Sequence, residues 1–307
     1  MEPGGARNRR RTALPRLVPV TPALLDDLVH AAACEVLASR GLDAAALAAD
    51  PGVARERSGR GEYATAVALR TAGTVGVAPR ELARWLADAL AGRPEVAEVK
   101  VAGPGFVNLR ITAAARAALV AEVLAAGAAY DRDAGAAAVE EAVANVVLPD
   151  ELVAAVGVEA ARYALLRSPS RTVVDVDLLR RRTSDNPLFR VQYAHARLVS
   201  LARNAADLGI TAGTALASLT HPCEAELMRR IGEFPDAVRT GASHRVARHL
   251  EASADAFSDF HDSCRVLPQG DEEVTDLHRA RLTVVAAARR VVANGLELLG
   301  VSAPERI

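Results

Sequence analysis

Apolar residues recur at helical spacing early in the chain, where Leu24, Leu25, Leu28 and Val36 follow Thr21-Pro22 and run toward Ser39-Arg40-Gly41. A threonine N-cap with proline at the first helical position opens a helix, and a glycine closes it. A second stripe, Leu82, Leu86 and Leu90 between Pro79 and Gly92, steps along one helix face. The period then changes to that of a strand. Residues 96–101 and 106–111 alternate on either side of Ala102-Gly103-Pro104-Gly105, which predicts two strands joined by a turn. Alternation sets Val107, Leu109 and Ile111 on one face and Phe106, Asn108 and Arg110 on the other, in one exposed row.

From 113 to about 147 alanine dominates, predicting a helix up to Tyr130 and then a loose Asp-, Gly- and Ala-rich stretch that serves as the domain junction. Beyond it only helical patterns occur. Asn186-Pro187 opens one, and Thr220 with Pro222 precedes Leu227, Met228, Ile231 and Phe234, with Pro235 as the stop. Val246, Leu250 and Phe257 mark the next, and Leu282, Val285, Val292, Leu296 and Leu299 the last, closed by Gly300. The expected fold class is an α+β N-terminal domain, a small mainly antiparallel sheet with helices, followed by an all-α helical bundle. The expected division is a basic, disordered arm over 1–19, the α+β domain over 20–112, an alanine-rich helix and linker over 113–147, and the helical domain over 148–307.

Charge narrows the partners. With 307 residues, half of them apolar, and a formal charge of -1, the chain is no uniformly basic nucleic-acid binder, so any such surface is local. The arm carries Arg7, Arg9, Arg10, Arg11 and Arg16 without an acidic residue, as a solvated tail or an RNA-contacting arm. Between Arg162 and Arg203 nine arginines face Asp175, Asp177 and Asp185, a formal +6 and the main electrostatic candidate. No long apolar run suggests a membrane span, and the basic start does not read as a leader, so a cytoplasmic protein without membrane contact is expected. Cys34, Cys223 and Cys264 are too scattered for a disulfide framework or a Cys-x-x-Cys metal site and read as buried thiols.

The familiar catalytic constellations do not occur. A Gly-x-x-x-x-Gly-Lys loop is excluded because the one lysine, Lys100, stands in the strand before the turn. The seven histidines contain no His-x-Gly-His or His-Glu-x-x-His, and His244 and His249, with arginines between them, read as solvated helical positions. Ser168, Ser170 and Ser184 sit in no Gly-x-Ser-x-Gly elbow. No catalytic residue, cofactor or metal is therefore assigned. The row of Phe106, Asn108 and Arg110, beside Lys100, has the ring, amide and cations that stack on and hydrogen-bond unpaired bases, although on the pattern alone an ordinary wet sheet face with one aromatic is the favoured reading.

Two blocks resemble the arginyl-tRNA synthetase family. The first is Gly61-Glu62-Tyr63-Ala64-Thr65, Pro79-Arg80-Glu81-Leu82-Ala83 and Val101-Ala102-Gly103-Pro104-Gly105-Phe106-Val107-Asn108-Leu109, similar to the family's N-terminal accessory domain. The second includes Val156-Gly157-Val158-Glu159-Ala160-Ala161-Arg162-Tyr163, Asp185-Asn186-Pro187, Gln192-Tyr193-Ala194-His195-Ala196-Arg197 and Ala293-Asn294-Gly295-Leu296-Glu297-Leu298-Leu299-Gly300-Val301, similar to its DALR-type anticodon-binding domain. Where the family carries its nucleotide-binding catalytic domain, this chain has only the alanine-rich segment, and both ATP-handling signatures are missing. The resemblance implies a tRNA-binding, non-catalytic protein, with arginine tRNA as the candidate. It implies contacts to the tRNA D-loop from Phe106 and Asn108, and basic anticodon-domain positions at Arg197 and Arg203. The chain departs from the family pattern at His261, where tyrosine is usual, at Ile307 in place of a terminal methionine, and at Arg190 in place of an aromatic. Three roles stay open: a tRNA binder, a protein-interaction module on a reused scaffold with a protein partner, and a subunit of a split arginyl-tRNA enzyme.

Overall fold

The computed structural model describes residues 22–48, 50–56, 59, 61–130, 134–168 and 173–307. The arginine-rich arm, the Thr21 cap and Arg171 lie outside them. The first unit opens with α1 (Pro22–Ala38) and continues through β1 (Ala54–Arg55), β2 (Tyr63–Thr65), α2 (Val67–Val75), α3 (Pro79–Ala91), β3 (Val96–Ala102) and β4 (Phe106–Ile111). The strands form one antiparallel sheet in the order β1-β2-β4-β3. Leu82, Leu86 and Leu90 of α3 and Leu25, Val29 and Leu37 of α1 bury against Val107, Leu109 and Ile111, so the helices cover one sheet face. The turn into β4 needs Gly105: its φ is +155°, and a Cβ there would meet the Pro79 carbonyl oxygen at 2.9 Å.

Helix α4 (Ala113–Ala126) follows at once, with Thr112 as N-cap accepting from the Ala115 amide at 3.2 Å. It serves both units, because Ala115 belongs to the first core while Val120 and Val123 belong to the second. The second unit is all helical: α5 (Ala134–Asn145), α6 (Asp150–Val156), α7 (Val158–Leu166), α8 (Val176–Arg180), α9 (Pro187–Asp207), α10 (Pro222–Arg239), α11 (Ser243–Ser263) and α12 (Asp276–Leu298). Phe234, Leu250, Phe260, Leu198 and Leu296 sit in its core. The expected α+β unit followed by an all-α unit is what the structure has. No described helix is long and apolar enough to cross a membrane.

Three local expectations are corrected. From Ala134 on, the stretch is not loose: α5 buries Ala136 and Val139 in the helical core, and a Cβ on Gly135 would collide with the Val238 carbonyl oxygen, so the helix seats directly on the α10 backbone. Pro235 does not stop α10, which runs on to Arg239. A proline inside a helix forfeits one backbone hydrogen bond and costs about 3 kcal/mol, but burying Phe234 and Val238 on either side outweighs it. His249 is not solvated. It is buried among α10 side chains, its ring 5.8 Å from that of Phe234, and burial pushes it down to about 3. His244, by contrast, stays half-buried at the start of α11.

Candidate nucleic-acid interface

The sheet offers one surface on the face that α1 and α3 leave bare. Pairing of β3 with β4 sets Lys100 opposite Asn108, Glu98 opposite Arg110 and Ala102 opposite Phe106. Phe106 is 42% exposed, a large apolar ring in water at the start of a strand, and Lys100 and Arg110 are exposed beside it. Glu98 lies 2.6 Å from the Lys100 ammonium and 3.5 Å from Arg110, so it offsets part of their charge. The Lys100 hydrogen bond holds that carboxyl below the usual range.

Asn108 does not join this row. It faces the same side but is only 5% exposed. Residues 61 and 62 run close beside β4: the Glu62 amide donates to the Leu109 carbonyl at 2.8 Å, and a Cβ on Gly61 would stand 3.2 Å from Asn108 Cβ. Strand alternation gives the side a residue faces and says nothing about a neighbouring segment that covers it. Asn108, to which the resemblance assigns a tRNA contact, is therefore covered in this structure.

The second surface is a cleft of about 950 Å³ between α9 and α11. From α9 it takes Phe189, Arg190, Tyr193 and Arg197, which share one face because they recur at helical spacing. The helix is held by its first turn: Asn186, buried at its N-cap, accepts from the Leu188 and Phe189 amides. Tyr193 is 51% exposed and stacks on Phe189 with ring centroids 5.9 Å apart. From α11 come Asp255, His261 and Asp262. The His261 ring lies 5.9 Å from that of Phe257, nearly parallel, and Arg197 Nε donates to His261 Nε2 at 2.9 Å. Accepting that bond requires a bare Nε2, which fits an imidazole that burial and then the Arg197 charge hold below its usual range.

Arg190, Arg197 and His261 thus meet in the cleft. Arg190 is largely committed to protein, 3.2 Å from Asp255 and 3.5 Å from Glu251. Glu251 is buried and also binds Arg167 and the Tyr163 hydroxyl. Other members of the arginine-rich segment are structural as well: Arg162 donates to the Gly300 carbonyl and Arg180 Nε to that of Ala155. Arg203, exposed further along α9, does not line the cleft. Neither does Ile307, which is 52% exposed. The tail leading to it packs on a neighbouring side of α9, where Pro304 O meets His195 Nδ1 at 2.9 Å and Gln192 Nε2 donates to Ser302 O at 3.1 Å. Phe106, Lys100 and Arg110 likewise do not line the cleft.

Sequence reasoning missed Phe189 and Tyr193 as site residues. Their signal was two aromatics one turn apart on the helix that Asn186-Pro187 opens. Charge is close to balanced, Arg182, Arg190 and Arg197 standing against Asp185, Asp255 and Asp262. Among the described residues, no cluster of three or more His, Cys, Asp or Glu is arranged to hold a metal ion.

A sequence model of the arginyl-tRNA synthetase N-terminal domain matches residues 27–111, which contain the sheet row. A model of the DALR anticodon-binding domain matches 191–307, which contain Tyr193, Arg197 and His261. Residues 27–111 and 191–307 are thus similar to two domains of arginyl-tRNA synthetases. Among the described residues no strand lies between 112 and 190. An arginine–tRNA ligase of Frankia alni is 58% identical over 168 residues, 51% of this chain but 30% of that protein, so the chain spans about a third of the relative's length. Among solved structures, the arginyl-tRNA synthetase of Thermus thermophilus aligns over 92% of this chain and 59% of its own, at 19% identity and a TM-score of 0.41. That of Plasmodium falciparum aligns over 62% and 33%, at 20% identity and a TM-score of 0.41.

Proposed function

We propose that the chain binds tRNA and does not aminoacylate it. The cleft between α9 and α11 holds unpaired bases of the anticodon arm, and the Phe106 row touches the outer part of the same RNA. The observation that carries this reading is the exposed Tyr193 ring beside Arg197, inside the segment matched by an anticodon-binding domain. A flat aromatic face next to a guanidinium accepts any base by stacking and fixes it by charge-assisted hydrogen bonds. The non-catalytic half rests on the helical segment 112–190, where one alanine-rich connector cannot supply the several strand-helix-strand units of a nucleotide-binding sheet. His261 in place of tyrosine supports relaxed reading of the anticodon.

The test is filter binding of the purified chain with total tRNA and with arginine tRNA, at about 50 and 200 mM salt, where phosphate contacts weaken steeply. Micromolar binding that falls with salt is expected. No binding of any tRNA at the lower salt overturns the reading, and a stoichiometric protein recovered from RNase-treated extract in its place favours a protein partner. Arginine-dependent ATP–pyrophosphate exchange by the chain alone overturns the non-catalytic half.

A further inference from the structure

Two further hollows adjoin the cleft and share its walls. One, of about 560 Å³, lies beyond Arg182 and Phe189, which line both it and the cleft, and runs along Arg180 and Arg181 toward Gly157. The other, of about 400 Å³, lies beyond His261 and Asp262, again shared, and runs toward Pro268. The three form one track. Its length and branching lining suit a flexible strand better than a compact small molecule.

Of the arginines between 162 and 203, the structure commits Arg162, Arg167, Arg180 and Arg190 to protein acceptors and leaves Arg181 and Arg182 exposed on the ridge between the first two hollows. The ridge backbone is pinned. Asn186, itself buried, donates from Nδ2 to the carbonyls of Leu179 and Arg181 at 2.9 Å each. Glu159, the carboxylate lining the second hollow, is occupied by the Ser302 amide and hydroxyl. Asp185 opens into the cleft, where it repels phosphate and favours base edges.

We propose that the Arg181–Arg182 ridge is a phosphate-binding element of this chain, over which a single RNA strand leaves the cleft and enters the second hollow. The division of labour follows from the charges: bases sit in the balanced cleft on Tyr193, and the backbone crosses Arg181 and Arg182, two adjacent exposed cations that, among the described residues, no carboxylate pairs within 4 Å. Because the ridge backbone is ordered by Asn186, binding immobilises little beyond the two arginine side chains. The proposal rests on the cleft being an RNA site, and its test separates the two.

The test uses the full chain and labelled tRNA in an anisotropy titration across a salt series. Replacing both residues, Arg181→Ala with Arg182→Ala, is expected to weaken binding about tenfold near physiological salt and to flatten the log–log salt slope by about 1.4, the loss of two single-strand phosphate contacts. Arg181→Lys with Arg182→Lys is expected to restore the slope. Arg84→Ala, on α3 behind the opposite sheet face, is expected to leave both unchanged. A double alanine variant with the affinity and slope of the unmodified chain overturns the ridge and leaves the cleft standing, whereas an unmodified chain that binds no tRNA overturns both. If the double variant loses retention on heparin while keeping tRNA affinity, the ridge serves another polyanion and the proposal fails.

Discussion

The sheet row and the helical cleft use the same parts, an aromatic ring beside an arginine, in different settings. On the sheet, Phe106 and Arg110 stand on an open face with Glu98 balancing the cations. In the cleft, Tyr193 and Arg197 stand between two helices, each steadied by a neighbouring ring, Phe189 for one and His261 for the other. Both rings are exposed, Tyr193 at 51% and Phe106 at 42%, so what separates the settings is the walls: a base entering the cleft is flanked by two helices, which displaces water that an open sheet face leaves in place to screen charges and compete for rings. The cleft should therefore supply most of the affinity and the sheet row a minor, orienting share.

The strongest way to break that contrast is to remove the cleft's two active parts together. Base stacking on an aromatic is worth about 1–3 kcal/mol, and a hydrogen bond to a charged group about 1.5–3. Tyr193→Ala combined with Arg197→Ala should thus lower tRNA affinity by about 100-fold or more. Both side chains are exposed, so thermal unfolding should be unaltered. A double variant that binds within about threefold of the original removes the cleft from the interface, whatever the sheet row does.

The two surfaces also differ in how they can be read from the chain. Strand alternation names the sheet row directly, because residues two apart share a face, and it finds Phe106, Arg110 and Lys100. It fails at Asn108, whose cover comes from residue 61, nearly fifty positions away in the chain. Beyond the Phe189–Tyr193 spacing the cleft has no local signature: α9 and α11 each look amphipathic, and only their packing brings Arg197 to His261. Composition misled in the same way. Nine arginines promised a basic patch, but Glu251 and backbone carbonyls, none of them adjacent in sequence, take up much of it. His249 was misjudged because a histidine that follows Arg245 and Arg248 on a helix looks wet until α10 packs over it. The alanine-rich connector hid α5, since alanine gives no apolar stripe although it packs closely.

A second comparison sets the units' stability against pH. The helical unit buries His249 and His195, both held below the usual imidazole range mainly by burial. An imidazole kept neutral in the fold binds its proton more readily when unfolded. Its contribution is complete above the unfolded value near 6.5 and is lost as pH falls from there toward the folded value, about 3 for His249. The slope approaches about 1.4 kcal/mol per pH unit for each such group. Histidine in the first unit is confined to His30, and the chain's one tryptophan, Trp85, lies there too. Between pH 7 and 5, helical circular dichroism should therefore melt progressively earlier than Trp85 fluorescence. His249→Leu should flatten the decline. Coincident melting at every pH, by both probes, would show that α4 couples the two cores into one cooperative unit.

The smallest expected effect tests the sheet row from within. Phe106→Ala removes an exposed ring and should weaken tRNA binding about fivefold, roughly 1 kcal/mol, with unfolding unchanged. Asn108→Ala should do the reverse. Its side chain is covered by the segment at Gly61, so no RNA contact is lost, but a buried polar group tied into the middle of the sheet is replaced by a smaller one. The melting temperature should fall while affinity stays within about twofold, because burying and filling that site contributes to folding and not to binding. The pair is informative because the two residues share one face and stand two positions apart. If Asn108→Ala lowers affinity as much as Phe106→Ala at a temperature where both variants are folded, the segment at 61–62 must move aside on binding. The sheet surface would then be a site that opens, and the contrast between an open row and a walled cleft would belong to the free chain alone.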